Sequence, residues 1–265
     1  MVSRERERER TTWPLPAVSI ACLLILFAAS AGPVFGDTTI YQTDFSSDPG
    51  WITDRPSDYY WDSTNEAYNL TVRNETPAGQ PANYFYKLLP HSVPSFTLTW
   101  DQEVTQQQWP CNVQFGLSDS SLGHLDSGQF FKSLWGGSGP GNNIMGCYAH
   151  GASGVSYDEG PKNAWVLNQW YTCMITYDAG TQTASYSVKE QGASTYICDF
   201  TLDVPGGITH DLVYLGTSND FGGYYGSSVD QGLIDNVSLT PEPATLSLLA
   251  LGGLALLRRK RGYGG

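Results

Sequence analysis

A long series of short, alternating apolar runs restricts the possible folds of this chain. In residues 112–117, Val113, Phe115 and Leu117 lie on one side of an extended backbone. In residues 170–177, every second residue from Tyr171 to Tyr177 likewise lies on one side of the backbone. No amphipathic helix of three turns interrupts the series. The pattern predicts an all-β fold, an antiparallel β-sandwich or jelly roll.

Turn-forming segments separate the predicted strands. The strands are TTIYQTDF, AYNLTV, ANYFYKLL, SFTLTWDQEV, NVQFGL, NIMGCYA, WYTCMITY, ASYSVKE, YICDFTL, LVYLGT and GLIDNVSL, and the turns include SSDPG, DAGTQ, VPGG and NDFGG. Few charged residues (15%) and many aromatic ones (13%) also suit a β-sandwich. We therefore predict one β domain over residues 37–240.

The predicted β domain is strongly acidic. Between residues 37 and 240 there are six Lys/Arg and twenty-two Asp/Glu, a formal charge of −16. Such a surface repels phosphate backbones, so we expect no nucleic-acid partner. Divalent cations or neutral polymers fit this charge better.

Both ends of the chain resemble export and membrane signals. Residues 1–36 have a net-positive start, an apolar run over 17–29, and small residues at Ala29-Ser30-Ala31 that suit cleavage, with Gly36 as a second candidate site. This is the layout of a secretory signal peptide, with a signal helix. A retained N-terminal anchor is the alternative, although the apolar run is short for a membrane span.

The C-terminal end is an uncharged segment followed by a basic cluster. Residues 244–257 carry no charge, and Arg258, Arg259, Lys260 and Arg261 follow at once. As a helix these residues reach roughly 21 Å, less than the ~30 Å of a bilayer core. The segment is predicted to be a transmembrane helix that holds the chain briefly, with the basic cluster inside.

The whole C-terminal segment, residues 241–265, resembles the PEP-CTERM sorting signal of bacteria that make exopolysaccharide. The resemblance rests on Pro241, Glu242 and Pro243, the apolar helix, and the terminal cluster of Arg258, Arg259, Lys260 and Arg261. It implies an exosortase-type membrane protease as partner, which cleaves near the motif. The protein would then be exported to the cell envelope, and be membrane-anchored or released to the cell surface or matrix.

Cysteines in an exported chain usually form disulfides. Cys22 lies in the predicted leader, which leaves Cys111, Cys147, Cys173 and Cys198. No CxxC pair is present, so a zinc ribbon or thioredoxin-type site is not expected. Sequence neighbours are strand neighbours in a meander, which favours Cys111–Cys147 and Cys173–Cys198; four buried thiols are the alternative.

The central domain resembles concanavalin A-like lectin/glucanase and laminin-G-like sandwiches. The segments DFSSDPGW, QWYTCMITYDAGTQTASYSV and GLIDNVSL carry the resemblance. It implies that the last strand pairs near the first, and related jelly rolls often hold a structural calcium at a comparable place. Asp44 and Asp235 are then candidate calcium ligands, because carboxylate oxygens suit this hard cation. Alternatively, each of the two caps a turn or faces solvent.

Asp101 and Glu103 are candidates for a catalytic carboxylate pair. They lie two residues apart, so a strand presents both on one side. Glycoside hydrolysis requires two carboxylates. Laminarinase-type glucanases carry them in a Glu-x-Asp-x-x-Glu strand, whereas this chain has Thr99 at the leading position and Val104 or Thr105 at the closing one. This departure favours a solvated acidic strand.

Aromatic side chains in turn-rich segments are candidates for stacking on sugar rings, although a sandwich also needs aromatics for its core. The candidates are Trp51, Tyr59, Tyr60, Trp61, Trp109, Trp135, Trp165, Tyr224 and Tyr225.

The sequence thus predicts a non-enzymatic cell-envelope or matrix protein whose sandwich binds glycan or another surface component. A secreted polysaccharide-degrading enzyme and an inert structural matrix protein are the alternatives.

Overall fold

The computed structural model describes residues 39–73, 83–109, 111–119, 128–137, 142–219 and 228–242. All of them belong to one compact unit. Across these ranges the secondary structure is entirely β, and no membrane-crossing helix is found there. The predicted signal helix and the predicted C-terminal transmembrane helix lie outside the described residues.

Two antiparallel sheets form a sandwich, as the sequence predicts. Sheet A has the order β13-β12-β11-β6-β15-β4-β3, with β1 also pairing with β15. Its strands are β1 (Tyr41–Thr43), β3 (Tyr59–Asp62), β4 (Ala67–Arg73), β6 (Phe96–Gln106), β11 (Trp170–Asp178), β12 (Thr183–Glu190), β13 (Cys198–Asp203) and β15 (Val229–Pro241). Sheet B has the order β10-β9-β8-β7-β14-β5-β2. Its strands are β2 (Ile52–Thr53), β5 (Asn83–Leu88), β7 (Asn112–Ser118), β8 (Phe130–Gly137), β9 (Asn143–Gly151), β10 (Gly154–Glu159) and β14 (Tyr214–Asn219).

The core lies between the two sheets and is rich in aromatic side chains. Trp51, Phe85 and Phe115 stack nearly parallel, with ring centroids 5.4 to 6.3 Å apart. Near the other end of the sandwich, the indole N–H of Trp135 donates to the Tyr186 hydroxyl at 2.7 Å. Burying one large apolar side chain contributes roughly 1.5–3 kcal/mol, so this interior is a main source of stability.

The last strand, β15, lies in the middle of sheet A. It pairs with β6 on one edge, and with β4 and then β1 on the other. The expectation that the last strand pairs near the first is therefore confirmed. A bulge interrupts the β6 pairing between Asp235 and Ser238, and Asn236 takes a left-handed conformation there (φ 50°). Asn adopts this conformation more readily than most residues.

The predicted disulfides are wrong, because all four cysteines are buried free thiols. Cys173 and Cys198 both lie opposite Val188, one on each side of it, so they are two strand spacings apart. That is roughly 10 Å, beyond the ~7 Å limit between the Cα atoms of a disulfide. Cys111 adjoins Gly136 at one end of β8, whereas Cys147 faces Ser133 from the next strand, which also places this pair too far apart.

Candidate functional site

The candidate site is the outer face of sheet B, the side that points away from the sandwich core. Strand alternation determines its members, because Val113, Phe115 and Leu117 of β7 point into the core. The residues of the outer face are Ile52, Tyr84, Tyr86, Leu88, Asn112, Gln114, Gly116, Ser118, Phe130, Lys132, Leu134, Gly136, Ile144, Gly146, Tyr148, His150, Val155, Tyr157, Glu159, Tyr214 and Gly216.

One row of aligned residues crosses this face from β2 to β10. In order, its members are Ile52, Tyr86, Gly216, Gly116, Lys132, Tyr148 and Tyr157. The two glycines are neighbours in the centre of the row. A Cβ atom on Gly116 would lie 1.8 Å from the carbonyl oxygen of Phe131, so the close approach of β7 and β8 requires glycine here.

Polar side chains form the floor of the outer face. Asn112, Gln114, Ser118 and Lys132 are each at least nine-tenths buried. The Lys132 ammonium donates to Gln114 Oε1 at 3.4 Å and lies 5.1 Å from the centre of the Phe130 ring. Burial lowers the pKa of Lys132 to about 7, since a charged ammonium loses hydration in this position. The floor therefore consists of amide, hydroxyl and amine groups that are shielded from solvent.

A tyrosine pair lies on the β9–β10 side of the floor. Tyr148 and Tyr157 stack with ring centroids 4.2 Å apart, and both are half-buried. The Tyr157 hydroxyl donates to Glu159 Oε1 at 2.7 Å. Burial and this carboxylate raise the pKa of Tyr157, so the phenol stays protonated.

A second tyrosine cluster lies on the β5–β14 side. Tyr86 packs against Tyr84 at 5.8 Å and edge-on against Tyr214 at 5.2 Å. Tyr84 and Tyr214 are half-buried, and Leu88 beside them is exposed. Two partly exposed aromatic clusters thus flank a buried polar floor. The half-buried tyrosines of these clusters can stack on sugar rings, and their phenol groups can exchange hydrogen bonds with sugar hydroxyls.

The predicted carboxylate pair lies elsewhere, on the outer face of sheet A. Asp101 and Glu103 do share one side of β6, as expected. Asp101 is buried, and its two oxygens accept hydrogen bonds from Thr172 (2.7 Å), Gln191 (2.8 Å) and Asn236 (2.9 Å). These bonds connect β6 with β11, β15 and the turn after β12. Asp101 thus holds neighbouring segments of sheet A together, which is a structural role.

Of the two candidate calcium ligands, Asp44 directly follows β1, and Asp235 lies in the neighbouring strand β15 of sheet A. Asp44 accepts hydrogen bonds from the Ser46 backbone and hydroxyl, and Asp235 accepts them from Asn236. Burial, with smaller contributions from the carboxylates of Asp101 and Asp44, raises the pKa of Asp235. Among the described residues, no group of three or more His, Cys, Asp or Glu side chains could hold a metal. Calcium binding stays a prediction.

Most of the aromatic residues singled out in the sequence belong to the core. Trp51, Tyr59, Trp135 and Trp165 are at least nine-tenths buried among other core side chains, so their selection as sugar-stacking candidates is wrong. Tyr60 is exposed and Trp61 is partly buried on β3 of sheet A, and Trp109 is exposed in the loop between β6 and β7. Tyr224 and Tyr225 lie outside the described residues.

Sequence reasoning did not select the aromatic residues of the outer face of sheet B. Tyr148 and Tyr157 become neighbours only through the pairing of β9 with β10. Lys132 lies in β8, a strand with large side chains on both faces and therefore without visible alternation. The one available signal was composition, because Lys132 is among six cations in a domain with many more acids.

The first two residues of the sorting motif belong to the fold. Pro241 is the last residue of β15, and the N–H of Glu242 donates to the carbonyl of Ser95 at 3.0 Å. Pro243 and the cluster of Arg258, Arg259, Lys260 and Arg261 lie outside the described residues.

Comparison with solved structures indicates a shared fold at low sequence identity. A sialidase aligns with a TM-score of 0.51 and 10% identity, over 77% of this chain and 19% of its own. Lectin II from Ulex europaeus aligns with a TM-score of 0.47 and 12% identity, over 76% and 97% of the two chains. LamAcat from Zobellia galactanivorans gives 0.49 and 8%, over 77% and 98%. At these identities the likeness concerns the fold alone.

Comparison of sequences identifies the tail. No curated protein sequence matches this chain. A family model described as the PEP-CTERM protein-sorting motif matches residues 239–261, the end of β15 and the segment that follows it. The match includes Pro241-Glu242-Pro243 and the four basic residues. This chain therefore carries a PEP-CTERM protein-sorting motif behind an antiparallel β-sandwich, and it is an exported, exosortase-sorted protein of the cell surface.

Proposed function

We propose that this protein is a non-catalytic glycan-binding protein of the cell surface, and that the outer face of sheet B binds the polysaccharide. The observation that carries the proposal is the pair of half-buried tyrosine clusters on either side of the buried polar floor of this face. Phenol rings provide an apolar surface for the ring of a sugar, and the tyrosine hydroxyls together with the exposed Glu159 carboxylate provide hydrogen-bond partners for its hydroxyls. The acidic domain favours a neutral polymer over a polyanion.

The positions of the carboxylates among the described residues support binding without catalysis. Hydrolysis of a glycosidic bond uses two carboxyl groups on either side of the bond. Of the described residues on the outer face of sheet B, Glu159 is the one carboxylate. Asp101 lies on the opposite sheet and accepts three side-chain hydrogen bonds.

Binding can be tested by sedimentation of the full chain with insoluble polysaccharides and by a glycan array. We expect Tyr148→Ala and Tyr214→Ala to weaken retention roughly ten-fold, the loss of about 1.4 kcal/mol of contact energy each. Tyr60→Ala and Tyr196→Ala are matched controls, because these tyrosines are exposed elsewhere (43% and 49%). Equal retention of all four variants, with unchanged thermal midpoints, would contradict the proposed site.

A reducing-sugar release assay on the retained polysaccharide tests the absence of catalysis. We expect no release by the wild-type chain above a heat-denatured sample. Sugar release would show that the protein is a polysaccharide-degrading enzyme. Absence of any retained glycan would favour an inert matrix protein instead.

A further inference from the structure

The sorting motif begins inside the folded domain. Strand β15 extends through Pro241, which lies opposite Phe96 at the start of β6. Phe96 is fully buried, so the pairing at this point still covers the core. The first residue of the motif is therefore also the last residue of a central strand.

Glu242, the second residue of the motif, is held through both its backbone and its side chain. Its N–H donates to the carbonyl of Ser95 at 3.0 Å, which continues the pairing with β6 beyond Pro241. The hydroxyl of Thr97 donates to its carboxylate. Ser95 is fixed in turn, because its hydroxyl accepts a hydrogen bond from the N–H of Ala179 at 3.0 Å.

The sorting protease must also bind Pro241 and Glu242, because they belong to its recognition motif. Only Pro243 separates Glu242 from the uncharged segment that starts at Ala244. Two residues of extended chain span about 7 Å, so little chain lies between the end of the sheet and that segment. A protease that binds the motif as an extended strand needs the backbone and side-chain groups that β6 already engages.

We propose that the fold masks its own sorting motif, so that the exosortase-type protease acts only while the end of β15 is detached from β6. Detachment occurs before β15 has paired during folding, or later by local opening of its last residues. The strength of the contacts between β6 and the end of β15 then sets the rate of processing. This inference concerns the tail and is independent of glycan binding.

The first test is Thr97→Val, which keeps the shape of the side chain and removes the hydrogen bond to Glu242. Thr99→Val is the matched control, because Thr99 lies two residues further along the same face of β6 and opposite Ser238, away from the motif. Pulse-chase labelling of the full chain, in a host that carries the protease, measures loss of the tail as a mass shift. We expect Thr97→Val to be processed roughly three- to ten-fold faster than wild type, and Thr99→Val at the wild-type rate.

A reversible disulfide clamp between β6 and β15 tests whether holding the two strands together slows processing. Thr97 and Thr240 lie directly opposite each other, so the double variant Thr97→Cys/Thr240→Cys can form a disulfide across β6 and β15. In protease-containing membranes, the clamped chain should be processed several-fold more slowly than the same chain after reduction. Equal rates for the clamped and reduced chains, together with a wild-type rate for Thr97→Val, would overturn the proposal.

Discussion

Asp230 is a carboxylate buried inside the sandwich, and no salt bridge joins it to a Lys or Arg of the described residues. It lies near the start of β15, is 0% exposed, and accepts a hydrogen bond at Oδ1 from the N–H of Gln108. Its other oxygen, Oδ2, has no hydrogen-bond partner in the part of the chain that the structure describes. Burial raises the pKa of Asp230 to about 8. Replacement by Asn, which keeps an acceptor at the same place and never ionises, isolates the cost of this group.

The sign of the effect follows from proton binding in the two states. The pKa of an unfolded Asp is about 3.9, so between pH ~4 and ~8 the unfolded chain loses this proton while the folded chain keeps it. The unfolded state then binds fewer protons, and the free energy of unfolding falls as pH rises. At about 1.36 kcal/mol per pH unit, the cost at pH 7 reaches about 4 kcal/mol. The amide N–H group that Asp230→Asn introduces costs about 1–3 kcal/mol if it lacks an acceptor, so we expect a net gain of about 1–3 kcal/mol at pH 7.

Urea denaturation of wild type and Asp230→Asn between pH 4 and 8 measures this gain. The difference in unfolding free energy should grow by about 1.4 kcal/mol for each pH unit and be absent or reversed near pH 4. Asp203→Asn is a suitable control, since that carboxylate is exposed on β13. A difference that stays constant over the pH range would refute the reasoning, because it would mean that Asp230 ionises with an ordinary pKa.

Four further outcomes follow from the core and the sheets. Tyr186→Phe should cost about 1–3 kcal/mol in urea denaturation, because the Trp135 indole N–H loses its acceptor; an unchanged midpoint would contradict this bond. Gly116→Ala should lower the thermal midpoint far more than Gly180→Ala, whose added methyl meets only a flexible carboxylate; equal effects would argue against the close approach of β7 and β8. All four described thiols should resist a thiol reagent until urea unfolds the chain, since they are buried; rapid native labelling would contradict this. If calcium binds at Asp235, it raises the thermal midpoint and Asp235→Ala removes the rise; no calcium effect on wild type would end that prediction.

The alternation of apolar residues predicts the sandwich well, because a strand with one buried face has an apolar residue at every second position of its sequence. Tyr171 and Tyr177 lie in the core face of β11, as expected, and so does Phe115 in β7. The same logic misses β8, where Phe130 and Phe131 are both buried on opposite faces. A strand buried on both sides has no period to detect.

The candidate site was beyond sequence reasoning for a different reason. Its members come from separate strands, and their register is set by pairing between residues far apart in the chain. Tyr148 and Tyr214 flank the polar floor only because β9 and β14 lie in the same sheet. The cysteine pairing failed similarly, since nearness in sequence places Cys173 and Cys198 two strands apart rather than side by side.

Strand β15 connects the folding of the domain with its sorting. Because β15 pairs with β1, β4 and β6, sheet A cannot be completed until the last strand has been exported. Contacts between such distant segments form slowly, because closing long loops costs entropy before the contacts form. During that interval Pro241 and Glu242 are still unpaired and, under the masking proposal, accessible to the sorting protease. Substitutions that delay pairing of β15 with β6 should therefore lengthen the period in which the motif is accessible, even when the final stability of the sandwich is unchanged.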